Sequence, residues 1–366
     1  MSYWVLIVWL AAVVLVYGLL YAVQLPLRKK AKWWISVLSF IVKAILALLA
    51  AYISIVTPIP LSKFLNNLFG VLYIVFCSDA VLDLITAVFA AVKKEYKKVQ
   101  LFVSGLVLSV AYLVYAIVNM MNVVPQYHTY ETGKTKQDYT IVFIADLHYG
   151  SAQTPDVFIR MLDDVIKEDP DLILLGGDIT DEFTTQEQME YVFGQFGSLD
   201  IPVCYVYGNH DCQEMADSYG GRTYSDDQLR EALVSNGITV LCDEADYFND
   251  DLVILGRERY SSPARLTVDK LPVITSDKYV ICVDHSPYLE DDIKATGADL
   301  QLSGHVHGGQ FFPLRLIYLF VFNYTYGEYR VGETDLCVSS GVSGWCFPLR
   351  TAYNSNFEVI HIVRNG

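Results

Sequence analysis

"YTIVFIADLHYG", residues 139–150, decides how the rest of the chain is read. Tyr139 to Ile144 are all β-branched or aromatic, which predicts a strand. The run then stops on Asp146 and His148, so a carboxylate and an imidazole stand just past the strand's carboxyl end. The next segment, "TPDVFIRMLDDVIKEDP", predicts a helix: Phe158, Met161, Leu162, Val165 and Ile166 recur at helical spacing behind a Thr154-Pro155 start. Working outward, "DLILLGGD", a helix around 184–196, "IPVCYVYGNHD", a helix around 226–236, "DLVILG", "KYVICVDHSP" and "ADLQLSGHVHGG" continue the pattern. Strand alternates with helix, and in such α/β arrangements functional residues gather on loops beyond the strand ends.

Every cluster of Asp, His and Asn falls at such a point: Asp146 and His148, Asp178 and Asp181 in "GGDITD", Asn209, His210 and Asp211 in "GNHD", His285 in "DHSP", and His305 and His307 in "GHVHGGQ". Five of the chain's seven histidines therefore sit at strand ends. Folding alone does not require five strands to finish in nitrogen and oxygen donors. The set suits two metal ions about 3.5 to 4 Å apart, each held by imidazole and carboxylate with positions left open for water and substrate. On an extended segment His305 and His307, at i and i+2, would point the same way and could serve two neighbouring ions. The glycines around them leave room for backbone to approach metal and phosphate.

The series Asp-x-His, Gly-Asp-x-x-Asp, Gly-Asn-His-Asp, His-x-Pro, Gly-His-x-His-Gly-Gly-Gln resembles that of the calcineurin-like metallophosphoesterases over residues 139–362. Its closing Gly-Gly-Gln resembles the membrane-associated bacterial phosphodiesterase branch, some members of which act on UDP-2,3-diacylglucosamine. The resemblance implies a β-sandwich flanked by helices with a dinuclear centre at one edge. It further implies that Asp146, His148 and His307 hold one divalent ion, that Asn209, His285 and His305 hold a second, and that Asp178 bridges them. Manganese, iron and zinc all suit such donors. His210 would contact the phosphate or protonate the leaving oxygen, Asp211 would orient it, and Asp181 would support the ligands from behind. The chain departs from the branch in three places. Arg257, Glu258 and Arg259 stand where relatives carry paired acids, and the two arginines are candidates for a phosphate contact, with a charge-paired loop as the alternative. "NSNFEVI" lacks the usual proline before its glutamate, and the front of the chain has no counterpart in the resemblance.

That front is a different kind of polypeptide. Residues 1–125 hold ten Lys+Arg against three Asp+Glu, whereas residues 126–366 hold 16 against 38, a net −22. Four apolar stretches, about 3–24, 34–56, 68–92 and 100–121, approach the ~20 residues that cross a bilayer as a helix. We expect a transmembrane region over 1–125, a linker over 126–138 and the metallophosphoesterase domain over 139–366. Arg28, Lys29, Lys30 and Lys32 follow the first stretch and Lys93, Lys94, Lys97 and Lys98 the third, while the second connection holds only Lys63. The positive-inside rule then puts the acidic domain on the extracytoplasmic face. Lys43 and Asp83 lie at similar depths on adjacent spans and are expected to pair, with Asp79 on the same helix face as Asp83.

A net −22 opposes a polyanion such as nucleic acid as partner, since the long-range field repels it. Cys204, Cys212, Cys242, Cys282, Cys337 and Cys346 show no disulfide-framework spacing and read as buried thiols. "FFPLRLIYLFVFNYTYGEY", residues 311–329, is more apolar than an exposed loop and is either core or a surface for acyl chains beside the metal motif. The sequence thus predicts a membrane-bound phosphoesterase acting on a phosphorylated lipid or envelope component. The alternative is a receptor or scaffold that binds such a ligand without turnover.

Overall fold

A computed structural model describes residues 3–28, 33–55, 63–91, 98–216, 220–275, 277–345 and 348–365. Lys29, Lys30, Lys32, Lys93, Lys94, Lys97 and Cys346 lie outside the described residues. The chain divides into two compact units, Met1–Val118 and Asn119–Gly366.

The first unit holds the helices α1 (Tyr3–Arg28), α2 (Trp33–Ile55), α3 (Lys63–Ala91) and most of α4 (Lys98–Met121). Three described segments, Trp33–Ala50, Leu68–Phe89 and Phe102–Met121, are long and apolar enough to cross a membrane, and Trp9–Gln24 is a shorter apolar run. Leu38, Ile41, Ile45 and Leu49 of α2 are exposed, as a helix facing hydrocarbon allows. Inside the unit the expected pairing is present: Lys43 Nζ contacts Asp83 Oδ2, lies 2.6 Å from Asp79 Oδ2 and donates to Gln24 Oε1 at 2.9 Å.

The second unit is the expected α/β sandwich. One sheet has the order β1-β12-β2-β3-β4-β5, from Val123–Thr132, Ser355–Arg364, Tyr139–Ile144, Leu172–Leu175, Val203–Tyr205 and Thr239–Val240. The other runs β10-β11-β9-β8-β7-β6, from Gly327–Val331, Thr334–Val338, Leu300–Ser303, Tyr279–Val283, Leu252–Gly256 and Glu244–Tyr247. Strand period fixes what each face buries. Ile141, Phe143, Leu172 and Leu174 turn inward against Ile254, Ile281, Leu300 and Leu302 of the facing sheet. Val142, Ile144, Ile173 and Leu175 turn outward under α5 (Pro155–Lys167), α6 (Gln186–Gly197) and α7 (Asp226–Ser235), which supply Phe158, Met161, Phe193, Phe196, Leu229 and Leu233. With both faces covered, these strands read as continuous apolar runs. Thr185 and Ser225 cap α6 and α7 through reciprocal bonds with Gln188 and Gln228. Beyond β7 come α8 (Glu290–Ala295) and α9 (Leu314–Val321).

One expectation is corrected. Residues 126–138 do not form a linker: β1 occupies most of them and pairs in parallel with β12, from Val123 opposite Ser355 to Thr132 opposite Arg364. Its polar composition fits its place at the sheet edge, where only alternate residues such as His128, Tyr130 and Thr132 turn inward.

Candidate metal centre

The parallel strands deliver their donors at one rim. β2 runs out into Asp146 and His148, β3 into Asp178, β4 into Asn209, β8 into His285 and β9 into His305 and His307. Asp146 (φ 56°), His148 (φ 45°), Asp178 (φ 53°), His305 (φ 73°) and His307 (φ 51°) all take left-handed backbone, which side chains other than glycine seldom adopt and which concentrates at functional sites. This corrects the extended geometry expected for His305 and His307. Val306 between them is helical (φ −87°, ψ −10°), so the pair sits on a turn, and each ring joins a different donor group. Close approach requires glycine at two places: a Cβ on Gly208 would strike Asp178 Oδ1, and one on Gly304 would come within 2.6 Å of Asp146 Oδ2.

Two donor groups result, Asp146 with His148 and His307, and Asp178 with His285 and His305, the ligand atoms of each lying within 4.8 Å of one another. Their ring tautomers are fixed from outside. His285 Nδ1 donates to Gly176 O at 2.7 Å, His307 Nδ1 donates to Ser343 O at 2.9 Å, and His148 Nδ1 faces Asp181 Oδ2 at 3.2 Å. Each Nε2 is therefore left to present a lone pair. His285 Nε2 lies 3.0 Å from Asp178 Oδ2 and 3.2 Å from His305 Nδ1, and His148 Nε2 lies 3.4 Å from His307 Nε2. Acceptors that face one another need a cation between them, a proton or a metal ion. Asn209 Oδ1 is likewise buried with no hydrogen-bond partner among the described residues. The donor set thus fits divalent ions held by nitrogen and oxygen.

The charge states agree. Burial disfavours charge on Asp178, yet His285 and His210 outweigh it and hold the carboxyl well below its usual range. Burial also opposes a proton on His285, but Asp178 draws one on and lifts its pKa to about 9. Burial and the neighbouring His148 keep His307 well below the usual histidine range.

His210 stands apart. Its Nδ1 meets the Glu182 carboxylate at 2.8 Å and its ring stacks on Trp345 with centroids 5.0 Å apart. Burial works against its charge, but Glu182 prevails and raises the pKa to about 10, so the imidazole is protonated at neutral pH. Asp211, expected to orient His210, does something else. Its Oδ2 accepts from Asp178 N at 2.7 Å and Gly208 N at 2.8 Å, and its Oδ1 from Thr180 N at 2.9 Å. It clamps the loops that carry the ligands, and Glu182 takes the orienting role. Asp181 faces His148 Nδ1.

Arg257 is removed from the substrate-contact candidates. It is buried, with Nη1 2.6 Å from Asp243 Oδ1 and Nη2 bonded to Leu266 O at 3.0 Å. Arg259 is held by Glu214 at 2.5 and 3.0 Å and by Glu258 at 3.2 Å, the charge-paired alternative. Sequence reasoning passed over Glu182, Trp345 and Arg350. Arg350 is fully buried and gives 2.6 Å bonds to Ser340 O and Ser343 O, fixing the carbonyl that orients His307. An acid beside Asp181 was a usable signal for Glu182. Arg350 bonds only backbone carbonyls, and no spacing announces those.

The calcineurin-like phosphoesterase family matches residues 139–309. A metallophosphoesterase of Aquifex aeolicus is 32% identical over 208 residues, covering 52% of this chain and 74% of its own length. A metallophosphoesterase of Helicobacter pylori is 30% identical over 237 residues, and the match spans 63% of this chain but only 61% of the relative. A transmembrane protein with metallophosphoesterase domain from Danio rerio is 26% identical over 61% of this chain and 52% of its own.

Proposed function

This chain belongs to the calcineurin-like metallophosphoesterases, metal-dependent hydrolases of phosphoesters, and we propose that it cleaves a phosphodiester or diphosphate bond of a lipid or other envelope component. In this reading Asp146, His148 and His307 hold one divalent ion, Asn209, His285 and His305 another, and Asp178 both. Such ions supply Lewis-acid stabilisation of charge on the phosphoryl oxygens and make water nucleophilic near neutral pH. The chain's own residues do the rest. Asp211 keeps the ligand loops in register, and Asp181, Gly176 and Ser343 fix the ring tautomers. His210, protonated by virtue of Glu182 and pinned against Trp345, is placed to bind a phosphoryl oxygen or to give its proton to the leaving oxygen.

The observation that carries the lipid reading is α9. Leu316, Ile317, Leu319, Phe320 and Val321 are all exposed, Phe320 at 91%, on a helix beginning four residues after Gln310. A helix that only covers a core puts polar residues outward. An exposed apolar surface of this kind marks a binding face. It is connected to the metal centre by aromatic rings: His305 meets Tyr288 at 5.0 Å, Tyr288 stacks on Phe322 at 5.7 Å, and Phe322 packs on Tyr318 of α9 at 5.0 Å. Acyl chains along this wall would leave the headgroup phosphate at the donors. Only Asn122 separates α4 from β1, so a bilayer holding α4 presents its lipids at high effective concentration. The basic connections around the spans support an extracytoplasmic second unit, which favours an envelope lipid over a cytosolic nucleotide-sugar lipid. Protease shaving of intact cells checks this, since a protected second unit would reverse the orientation.

The test compares two substrates, bis-p-nitrophenyl phosphate in solution and phosphodiester or diphosphate lipids in vesicles, for the wild type and a Leu319→Ser/Phe320→Ser variant. The lipid reading expects a several-fold loss on vesicles and unchanged turnover of the soluble diester. Equal loss on both substrates, or a wild type that cleaves only the soluble diester, overturns it.

A further inference from the structure

Away from the dinuclear rim, His128, Cys337 and Glu358 offer Nε2, Sγ and a carboxylate oxygen within 4.8 Å of one another. They come from three strands in two sheets: β1 and β12 of the first, β11 of the second. All three are buried, in the apolar layer between the sheets where Tyr130, Cys337, Ile360 and Ile362 pack. The three form a polar cluster inside an otherwise apolar layer, and His128 Nε2 is the point on which the carboxylate and the thiol both converge.

We propose that this cluster is a third metal site, a zinc-type clamp between the two sheets, chemically distinct from the hydrolytic centre because it contains a thiolate. Geometry and surroundings support it. Cys337 Sγ lies 3.7 Å from His128 Nε2; donors on a tetrahedral zinc with bonds of about 2.3 Å to sulfur and 2.0 to 2.1 Å to nitrogen stand roughly 3.6 Å apart. Glu358 Oε2 lies 2.9 Å from the same Nε2, so one ring nitrogen faces both other donors. On the far side of the ring, Glu328 Oε1 lies 3.3 Å from Nδ1. That contact is ionic proximity without a hydrogen bond; in carboxylate–histidine–zinc sites a carboxylate on this side of the ring orients the opposite nitrogen to the metal. Glu358 is itself oriented, its Oε1 accepting from Asn356 Nδ2 at 2.8 Å. The sulfur selects the metal: a thiolate with imidazole and carboxylate suits zinc and discriminates against magnesium or manganese, which the all-nitrogen-and-oxygen rim could accept. Such a clamp would join the edge strand β1 and its neighbour β12 to the opposite sheet.

Cobalt separates the two kinds of site, because only a thiolate ligand gives the near-ultraviolet sulfur-to-cobalt charge-transfer band. The full chain, purified in detergent and stripped by chelation, is titrated with Co(II). We expect the band in wild type and in Asp178→Asn. Cys337→Ser should lose it together with one metal equivalent per chain, and His128→Gln should weaken it. Zinc K-edge absorption of the wild type needs no variant and guards against a misfolded one. A sulfur shell at about 2.3 Å supports the clamp, and a shell of nitrogen and oxygen alone overturns it. A cobalt band that survives in folded Cys337→Ser, or equal metal content in wild type and that variant, also overturns it.

Discussion

Two regions bury ionisable groups, and they do so in opposite ways. In the helical unit the carboxylates of Asp79 and Asp83 meet a cation from the same chain, Lys43, and Gln24 adds a further polar partner. At the strand rim of the second unit the groups face one another as acceptors, with Nε2 atoms set against a carboxylate, Asp178 Oδ2 among them, and against each other. A cluster that supplies its own counter-charge holds helices together. One that leaves its donors uncompensated is built for a cation from outside, and buried unpaired charge is tolerated only on that condition. Neutralising a donor should therefore destroy function in the rim and cost mainly stability in the helices.

The largest break is expected at Asp178. Asp178→Asn keeps the volume and removes the carboxylate charge from the group it forms with His285 and His305, so hydrolysis should fall to background and metal content should drop. Normal turnover by the variant would show that the rim is not the reaction centre. Next comes His210. As the protonated group facing the site, it should contribute about 10²- to 10⁴-fold, read from kcat of His210→Gln. Glu182→Gln sharpens the assignment through pH. A folded-state pKa of about 10 lies above the ordinary histidine value, so the proton is present at neutral pH and lost only as pH rises through the folded value. Without Glu182 that loss comes at lower pH, and the alkaline limb of the kcat profile should shift down. An unmoved limb would mean that another group sets it. Asp181→Asn should cost roughly 10- to 100-fold in metal affinity, because it loosens His148 without removing a ligand.

These contrasts also explain how much the sequence disclosed. The candidate donors of this rim are His, Asp and Asn, and in this topology they stand at strand ends, so Asp146 through His307 were legible as a set. The strands themselves were legible because both their faces are apolar. β1 was not: an edge strand has polar residues on one side, and "VVPQYHTYET" alternates too weakly to announce pairing with a segment more than two hundred residues later. Glu182 holds the position against His210 that was expected of Asp211, because the contact depends on which way each loop turns. His305 and His307 were expected to serve two ions from an extended segment; the structure instead sets them on a left-handed turn, each in a separate donor group.

The helical cluster supplies the intermediate effect. Lys43→Met leaves Asp79 and Asp83 without their cation and should destabilise the helices by about 3–5 kcal/mol, measured as thermal unfolding in detergent. Combining it with Asp79→Asn and Asp83→Asn should recover much of that loss. Turnover per folded molecule should stay at the wild-type value throughout. A specific loss of activity at full stability would instead couple these charges to the reaction.

The smallest effects separate two arginines that the sequence treated alike. Arg257 is buried against Asp243, and its replacement would strand a buried carboxylate. Arg259 is partly open, its partner Glu214 more so, and such surface pairs are worth about 0 to 1 kcal/mol. Arg259→Gln should therefore leave unfolding nearly unchanged. It should also leave KM for the soluble diester unchanged, because the guanidinium is already committed to Glu214 and Glu258 rather than held free for an anion. A rise in KM without a change in kcat would show that the pair opens when substrate arrives. Arg259 would then belong with the uncompensated groups of the rim.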